Sequence, residues 1–292
     1  MQHEYHVNGD LVPAPEATVS VRDRGFAYGD AAFETLRAYG GTVYEWSAHR
    51  DRLEGTCASL GMPDAVPGDL KRRVDRTLAA NGLDDAYVRA SVTRGEQPGK
   101  LTPQPEVDAT VVVVVKPLPR GGVGGDPVWD GPATVETVDT RPIPDESIPG
   151  DAKTNNYLDG ILARLELRRS GGDADEALLF DRDGSVAEGT TSNVFFARNG
   201  TLHTPGLDGP ILPGITRSVV LELARDACVP VETGRYELSD VLDADEVFLT
   251  NTTWEVRPVE SVDGRSFETG PITRRLIGAF DRRVERCYSS DS

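Results

Sequence analysis

Residues 117–127 read PLPRGGVGGDP, and this stretch decides how the chain is divided. Proline fixes φ and has no N–H to donate, while glycine loses the most freedom on ordering, so a run built from both continues neither helix nor sheet. It marks a boundary between residues 1–118 and 128–292, with a linker at 119–127. A chain of 292 residues is long for one core and short for three, which agrees with two domains.

Just upstream, residues 109–115 read as a strand without alternation, expected to be buried on both faces, and 87–93 as a second strand. Further strands fit 5–7, 33–39 and 42–46, the last two joined by Gly40-Gly41 in a two-residue hairpin turn. Ser47 is placed to cap a helix that runs to Leu60 and stops at Gly61. A second helix fits between Gly68 and Asn81, with Leu70, Val74 and Leu78 on one face and Gly82 beyond its end. The first part is therefore a small α+β domain. Downstream, Asp183-Gly184, Asn199-Gly200 and Asp263-Gly264 mark hairpins between short strands, the pattern of a strongly bent or barrel-like sheet. Helices are predicted over 157–169, 215–227 and 272–287, with Pro213-Gly214 ahead of the second and Pro271 ahead of the third.

Composition excludes several classes of function. The longest pure apolar run is the five valines 111–115, far short of the roughly 18 residues of a membrane helix. The start MQHEYHVNGD has no apolar signal core, so a cytoplasmic protein is expected. Cys57, Cys228 and Cys287 stand far apart without CxxC spacing, which points to neither a disulfide framework nor a metal site. A formal net charge of −17 argues against nucleic acid or an anionic membrane as partner. Acids outnumber bases 48 to 31, and the lysines are confined to Lys71, Lys100, Lys116 and Lys153. That pattern predicts a salt-adapted, halophilic protein whose acidic surface stays hydrated while salt screens its self-repulsion.

Few residues are candidates for chemistry. Schiff-base formation needs a lysine amine near other cations or apolar groups. Lys71 lies among Arg72, Arg73 and Arg76, and Lys100 in a Pro-Gly turn, so both read as solvated charges; Lys116 ends a buried strand. Lys153 stands apart in PGDAKTNNYLDGILARLEL, among small and amide residues just before an amphipathic helix. Gly214, Ile215 and Thr216 sit where a helix begins, and free N–H groups with the positive dipole end favour a phosphate there. Arg52 offers a bidentate clamp for an anion, and LTNTTWEV, 249–256, offers hydroxyls and backbone N–H groups at a strand end. Glu188 stands between a hairpin and a Gly-Thr-Thr-Ser-Asn turn; a carboxylate held against a pyridine nitrogen keeps it protonated.

In this order the segments VRDRGFAYGDAAFETLRAYGG, HRDRL, AKTNNYL, EGTTSNVFF, LPGITR and LTNTTWEVRPV span nearly the whole chain. Together they resemble the fold-type IV family of pyridoxal 5′-phosphate enzymes, which includes branched-chain aminotransferases, D-amino acid aminotransferases and aminodeoxychorismate lyases. The resemblance implies an α+β protein with a small domain and a larger pseudo-barrel domain, the cofactor between them, in a homodimer. It implies that Lys153 carries the cofactor, that Glu188 faces its ring nitrogen, and that Arg52, Ile215, Thr216 and Thr252 hold its phosphate.

Among the members, branched-chain aminotransferases usually show glycine after the Phe-Glu pair and tyrosine five residues past the lysine, where this chain has Thr35 and places Tyr157 four past Lys153. Thr35 and Asn251 resemble the lyases, which makes 4-amino-4-deoxychorismate lyase, releasing 4-aminobenzoate and pyruvate, the favoured reading. A branched-chain or D-amino acid aminotransferase is the alternative, and a non-catalytic cofactor-binding homologue the reading from another class. The lyase reading casts Thr35 as an aid to proton delivery and Arg94 as the partner of a substrate carboxylate. Thr253 and Trp254 then line the substrate pocket, Trp254 standing where many relatives have a small residue.

Overall fold

The computed structural model describes residues 3–120 and 128–289; of the expected linker, 121–127 lie outside the described residues. The chain forms two compact units. The first holds the described residues up to Arg120 together with Ala152–Asn156 and the end of the last helix from Arg286, and the second holds the rest. The units are discontinuous in sequence. Lys153, which follows the proline-glycine stretch in the chain, belongs to the first.

The first unit opens with a hairpin, β1 (Glu4–Val7) and β2 (Asp10–Pro13), turned at Asn8 and Gly9 with φ of 49° and 109°. A short helix α1 (Arg24–Tyr28), capped by the Asp23 side chain, leads into β3 (Ala31–Tyr39). β4 (Thr42–Val43) returns after Gly40-Gly41, both with positive φ, as the two-residue turn requires. Helices α2 (Trp46–Ser59) and α3 (Leu70–Asn81) follow, then β5 (Ala86–Thr93) and β6 (Val111–Pro117). The strands form one antiparallel sheet in the order β2-β1-β6-β5-β3-β4. Leu53, Cys57, Leu70, Val74 and Leu78 of the two helices pack on Leu36, Val88, Val92, Val113 and Val115.

The valine run has one face in that core, not two: Val111, Val113 and Val115 are buried, Val112 and Val114 only half so. Identical side chains carry no period, and the helices that decide the buried face lie far away in sequence. Ser47 is not the cap of α2 either. Glu45 turns the chain with φ of 49°, and the helix starts one residue before Ser47, at Trp46.

The second unit is built on a curled, mixed half-barrel sheet. It contains β7 (Ala133–Thr137), α4 (Leu158–Arg169), β8 (Glu176–Phe180), β9 (Val186–Gly189), β10 (Asn193–Arg198) and β11 (Thr201–Pro205). α5 (Ile215–Asp226), β12 (Val231–Gly234), α6 (Leu238–Leu242), β13 (Glu246–Asn251), β14 (Glu255–Val262), β15 (Arg265–Ser266) and α7 (Pro271–Ser289) complete it. The strand order is β12-β11-β10-β13-β14-β7-β8-β9, with β15 beside β14. Three of its pairings are parallel, β11 with β12, β14 with β7 and β7 with β8. The concave face is filled by Val135, Leu178, Phe180, Val194, Phe196, Leu249 and Val259 among others; each such side chain, fully buried, contributes about 1.5–3 kcal/mol. Phe195 and Phe248 stack on the opposite face, ring centroids 5.0 Å apart. The hairpin turns predicted at Asn199-Gly200 and Asp263-Gly264 are present, each residue with positive φ. No helix among the described residues is long and apolar enough to cross a membrane, and no cluster there fits a metal ion.

Candidate active site

The first unit positions Lys153 by adding its segment to the edge of a strand. β4 covers only Ala38 and Tyr39, which leaves the beginning of β3 open on that side. Residues 153–155 fill the gap: Thr154 bridges Ala32, the N–H of Phe33 donates to the Lys153 carbonyl at 3.0 Å, and the N–H of Asn155 donates to Ala31 at 2.9 Å. The Lys153 N–H points away from β3 and donates to the hydroxyl of Thr56 on α2 at 3.0 Å. With its backbone fixed on both sides, the half-buried side chain extends over Phe33, its Nζ 4.5 Å from the ring centroid.

Phe33, Thr35 and Arg37 alternate with the core residues of β3 and share its other face. Thr35, half-buried, lies in register with Arg89 of β5. Arg89 stacks its guanidinium 3.6 Å from the Phe33 centroid and donates to the Asn155 side chain at 3.1 Å. A cation therefore stands on the lysine's face of the sheet. The sequence reading passed over Arg89, although alternation with Val88 and Ala90, both buried, places it opposite the core.

Arg52 projects from α2 onto Glu34, to which Nε and Nη2 donate at 2.7 Å each. His49 Nδ1 lies 2.7 Å from the same carboxylate. Burial pushes the Glu34 carboxyl up, but hydrogen bonds from Arg52 and His49 outweigh it and hold the group at about 2. The guanidinium plane is thus fixed before any anion arrives. Thr56 follows Arg52 by one helical turn, so one face of α2 orients both the expected phosphate clamp and the lysine backbone.

Arg94 has a different occupation from the one expected. Nε and Nη2 donate to Asp30 at 2.8 and 3.1 Å, Nη2 also to the Leu60 carbonyl and Nη1 to that of Gly61 at 3.4 Å. Buried at 5% exposure, it braces α1, β5 and the end of α2, and this geometry gives a substrate carboxylate role no support. Asp30 also receives Arg24, at 2.7 Å.

In the second unit, Glu188 lies on β9, half-buried, with Oε2 accepting from Nδ2 of Asn193 at 2.9 Å and from the N–H of Leu212 at 3.1 Å. The turn that follows is shaped by Glu176. Its carboxylate, fully buried, accepts from the hydroxyls of Thr190, Thr191 (3.2 Å) and Ser192 (2.9 Å) and from the N–H groups of Ala177, Thr190 and Thr191 at 3.0, 3.2 and 3.3 Å. Ile215 and Thr216 begin α5 with extended Gly214 as N-cap and no side-chain cap. A Cβ added at Gly214 would overlap the Asn193 side chain, so that close approach needs glycine. Thr250, opposite Asn193 in register, carries a buried hydroxyl that has no hydrogen-bond partner among the described residues.

Thr252, Thr253 and Trp254 form the turn from β13 to β14, all half-buried. Asn251 braces it: its Oδ1 accepts from Thr253 N–H and hydroxyl at 3.0 Å and from Trp254 N–H at 2.6 Å. The asparagine that resembles the lyases is thereby explained by the turn itself. Trp254 packs on the barrel core, with Arg257 4.9 Å from its ring centroid.

Each unit carries groups of the kinds pyridoxal phosphate calls for: the first an amine suited to its aldehyde and a guanidinium suited to its phosphate, the second a carboxylate suited to its ring nitrogen and helix N–H groups without a side-chain cap. The comparisons agree. The family model described as amino-transferase class IV matches residues 31–262. A Methanocaldococcus jannaschii protein provisionally named branched-chain-amino-acid aminotransferase is 38% identical over 281 residues, 94% of each chain. The D-alanine aminotransferase of Listeria innocua is 31% identical over 287 residues, 96% of each. Among solved structures, the branched-chain aminotransferase of Thermoproteus uzoniensis with norvaline superimposes with a TM-score of 0.89 at 29% identity, covering 98% of this chain and 96% of that one. The 4-amino-4-deoxychorismate lyase of Pseudomonas aeruginosa does so at 0.81 and 30%, covering 96% and 99%. A small antiparallel sheet unit, a curled half-barrel and this match along almost the full length give one conclusion: the chain is a fold-type IV enzyme that uses pyridoxal 5′-phosphate and belongs to the class IV aminotransferase family.

Proposed function

We propose that the enzyme is an aminotransferase that exchanges the amino group of an apolar, branched-chain amino acid with a dicarboxylic 2-oxo acid, rather than the lyase that Thr35 and Asn251 suggested. The observation that carries this reading is Arg89. Its guanidinium lies over Phe33, 3.6 Å from the ring centroid, and Lys153 Nζ lies over the same ring, so one face of the sheet sets a cation beside the lysine for the second carboxylate of a dicarboxylic substrate. Asn251 no longer favours the lyase, because its side chain is spent on the turn.

In this reading Lys153 carries the cofactor, Glu188 serves the ring nitrogen, and Arg52, Ile215, Thr216 and Thr252 serve the phosphate. Bound pyridoxal phosphate supplies the electron sink for bonds to the amino acid's α-carbon. Lys153 Nζ would accept the proton that leaves that carbon, and the α-carbon would not regain it in the half-reaction that removes the amino group. Thr35, on the same face as Arg89, orients the substrate, and Thr253 and Trp254 are the substrate-binding residues of the second unit. A homodimer is supported by two exposed apolar surfaces: Val21 (76%) and Phe26 (74%) in the first unit, and Leu158, Ile161, Leu162 and Leu165 at helical spacing along α4 in the second.

The test uses one preparation, whose sedimentation gives the oligomer. L-Leucine or L-valine with 2-oxoglutarate should be transaminated, and aminodeoxychorismate alone should yield no 4-aminobenzoate. Arg89→Leu should raise KM for 2-oxoglutarate about 10- to 100-fold, the loss of a charge-assisted hydrogen bond, while KM for leucine moves far less. Release of 4-aminobenzoate without any 2-oxo acid restores the lyase, and preferred turnover of D-alanine makes the enzyme a D-amino acid aminotransferase.

A further inference from the structure

One side chain fastens Glu188 to the start of α5. Nδ2 of Asn193 donates to Oε2 of Glu188 at 2.9 Å and to the carbonyl of Leu212 at 3.0 Å, and the N–H of Leu212 donates to the same Oε2 at 3.1 Å. Both partners of the amide are acceptors, which settles which end is its NH2. The other end, Oδ1, lies against Gly214, the N-cap of α5. Asn193 is 6% exposed and belongs to a strand hydrogen-bonded to β11 and β13, so the amide sits in a rigid setting.

We propose that Asn193 is a positioning residue that holds the ring-nitrogen carboxylate and the phosphate-receiving turn in one frame, so that the two ends of the cofactor are gripped at a fixed separation. The inference rests on the roles given above to Glu188 and the start of α5. Two N–H donors on one carboxylate oxygen fix its direction. Replacing the amide removes a donor from Glu188 and from the Leu212 carbonyl at once. Loss at one end of the cofactor is then felt at the other.

Asn193→Asp keeps the shape and the edge facing Gly214, and sets an oxygen against two acceptors. At about pH 8 two carboxylates confront each other, whereas at about pH 5 a shared proton restores one donor. Pyridoxal phosphate dissociation is measured across this range by equilibrium dialysis for the wild type, N193D, N193S and E188Q, with the melting temperature of each cofactor-free protein. N193D should bind about tenfold more weakly than wild type at the alkaline end and recover most of that loss at the acid end. N193S, which shortens the side chain without adding charge, should bind about tenfold more weakly throughout and keep its variant independent of any folding defect in N193D. E188Q should keep its cofactor while turnover falls. N193D and N193S proteins that bind as wild type, or an N193D loss equal at both ends of the range, overturn the proposal. Unchanged turnover in E188Q overturns instead the role of Glu188.

Discussion

Glu34 in the first unit and Glu176 in the second are both sealed from water, at 1% and 0% exposure, yet they are satisfied in opposite ways. Glu34 is answered by charge, with Arg52 bidentate and His49 at 2.7 Å. Glu176 is answered by hydroxyls and backbone N–H groups, its nearest cation, Arg164, standing 3.9 Å away and 40% exposed. The ion pair aims a guanidinium, and the hydroxyl and N–H donors around Glu176 give a turn its shape. Burying a carboxylate is costly either way, and the solution each unit adopts follows from what it has to present.

The contrast is sharpest at Lys153, which belongs to the charge-paired unit. Lys153→Ala should abolish turnover and the visible absorption of the cofactor-loaded protein, whereas Lys116→Ala, at an exposed strand end, should leave both nearly intact. A persisting absorption band in the Lys153→Ala protein would remove the assignment.

Next in size is the pair of carboxylates themselves. Glu34→Gln strands a buried arginine and should cost about 3–5 kcal/mol in denaturant unfolding. Glu176→Gln, which leaves neutral donors partly satisfied, should cost about 1–3 kcal/mol. The Glu34 contribution should also depend on pH. The carboxyl of Glu34 is held down at about 2 from an ordinary 4.5, so its contribution is complete above 4.5 and is lost as pH falls towards about 2. Glu34→Gln should flatten that acid loss. Equal costs, or an acid loss that persists in Glu34→Gln, would dissolve the distinction.

The smallest effect concerns salt. With a net charge of −17, the melting temperature should rise between low and molar potassium chloride as surface repulsion is screened. The buried Glu34–Arg52 pair is out of reach of that screening, so the gap between wild type and Glu34→Gln should stay nearly constant. A flat melting temperature would refute salt adaptation.

Much of this was legible in the sequence because it depends on local chemistry. Gly40-Gly41, Asn199-Gly200 and the helix ending at Gly82 declare themselves through backbone conformations few other residues accept. Asn8-Gly9 is an equally plain hairpin signal that went unread. What stayed hidden depends on partners remote in the chain. Arg94 looks like a free cation until Asp30 and the end of α2 close around it. Asn251 looks like a mark of the lyases until its own turn claims it. Arg89 acquires meaning only when β3 lies beside it and Asn155 arrives from far along the chain.

That late arrival bears on how the chain reaches its fold. The beginning of β3 is closed by Thr154 and its neighbours, which leave the ribosome only after the remainder of the first sheet and part of the second unit have been made. Until then Ala31–Phe33 is an open strand edge, able to pair with another nascent chain. The segment that closes this edge is the one that carries Lys153, so a chain whose edge has been taken by a neighbour is also a chain with its reactive amine misplaced. Acquiring the lysine and losing the sticky edge are one event in the maturation of the enzyme.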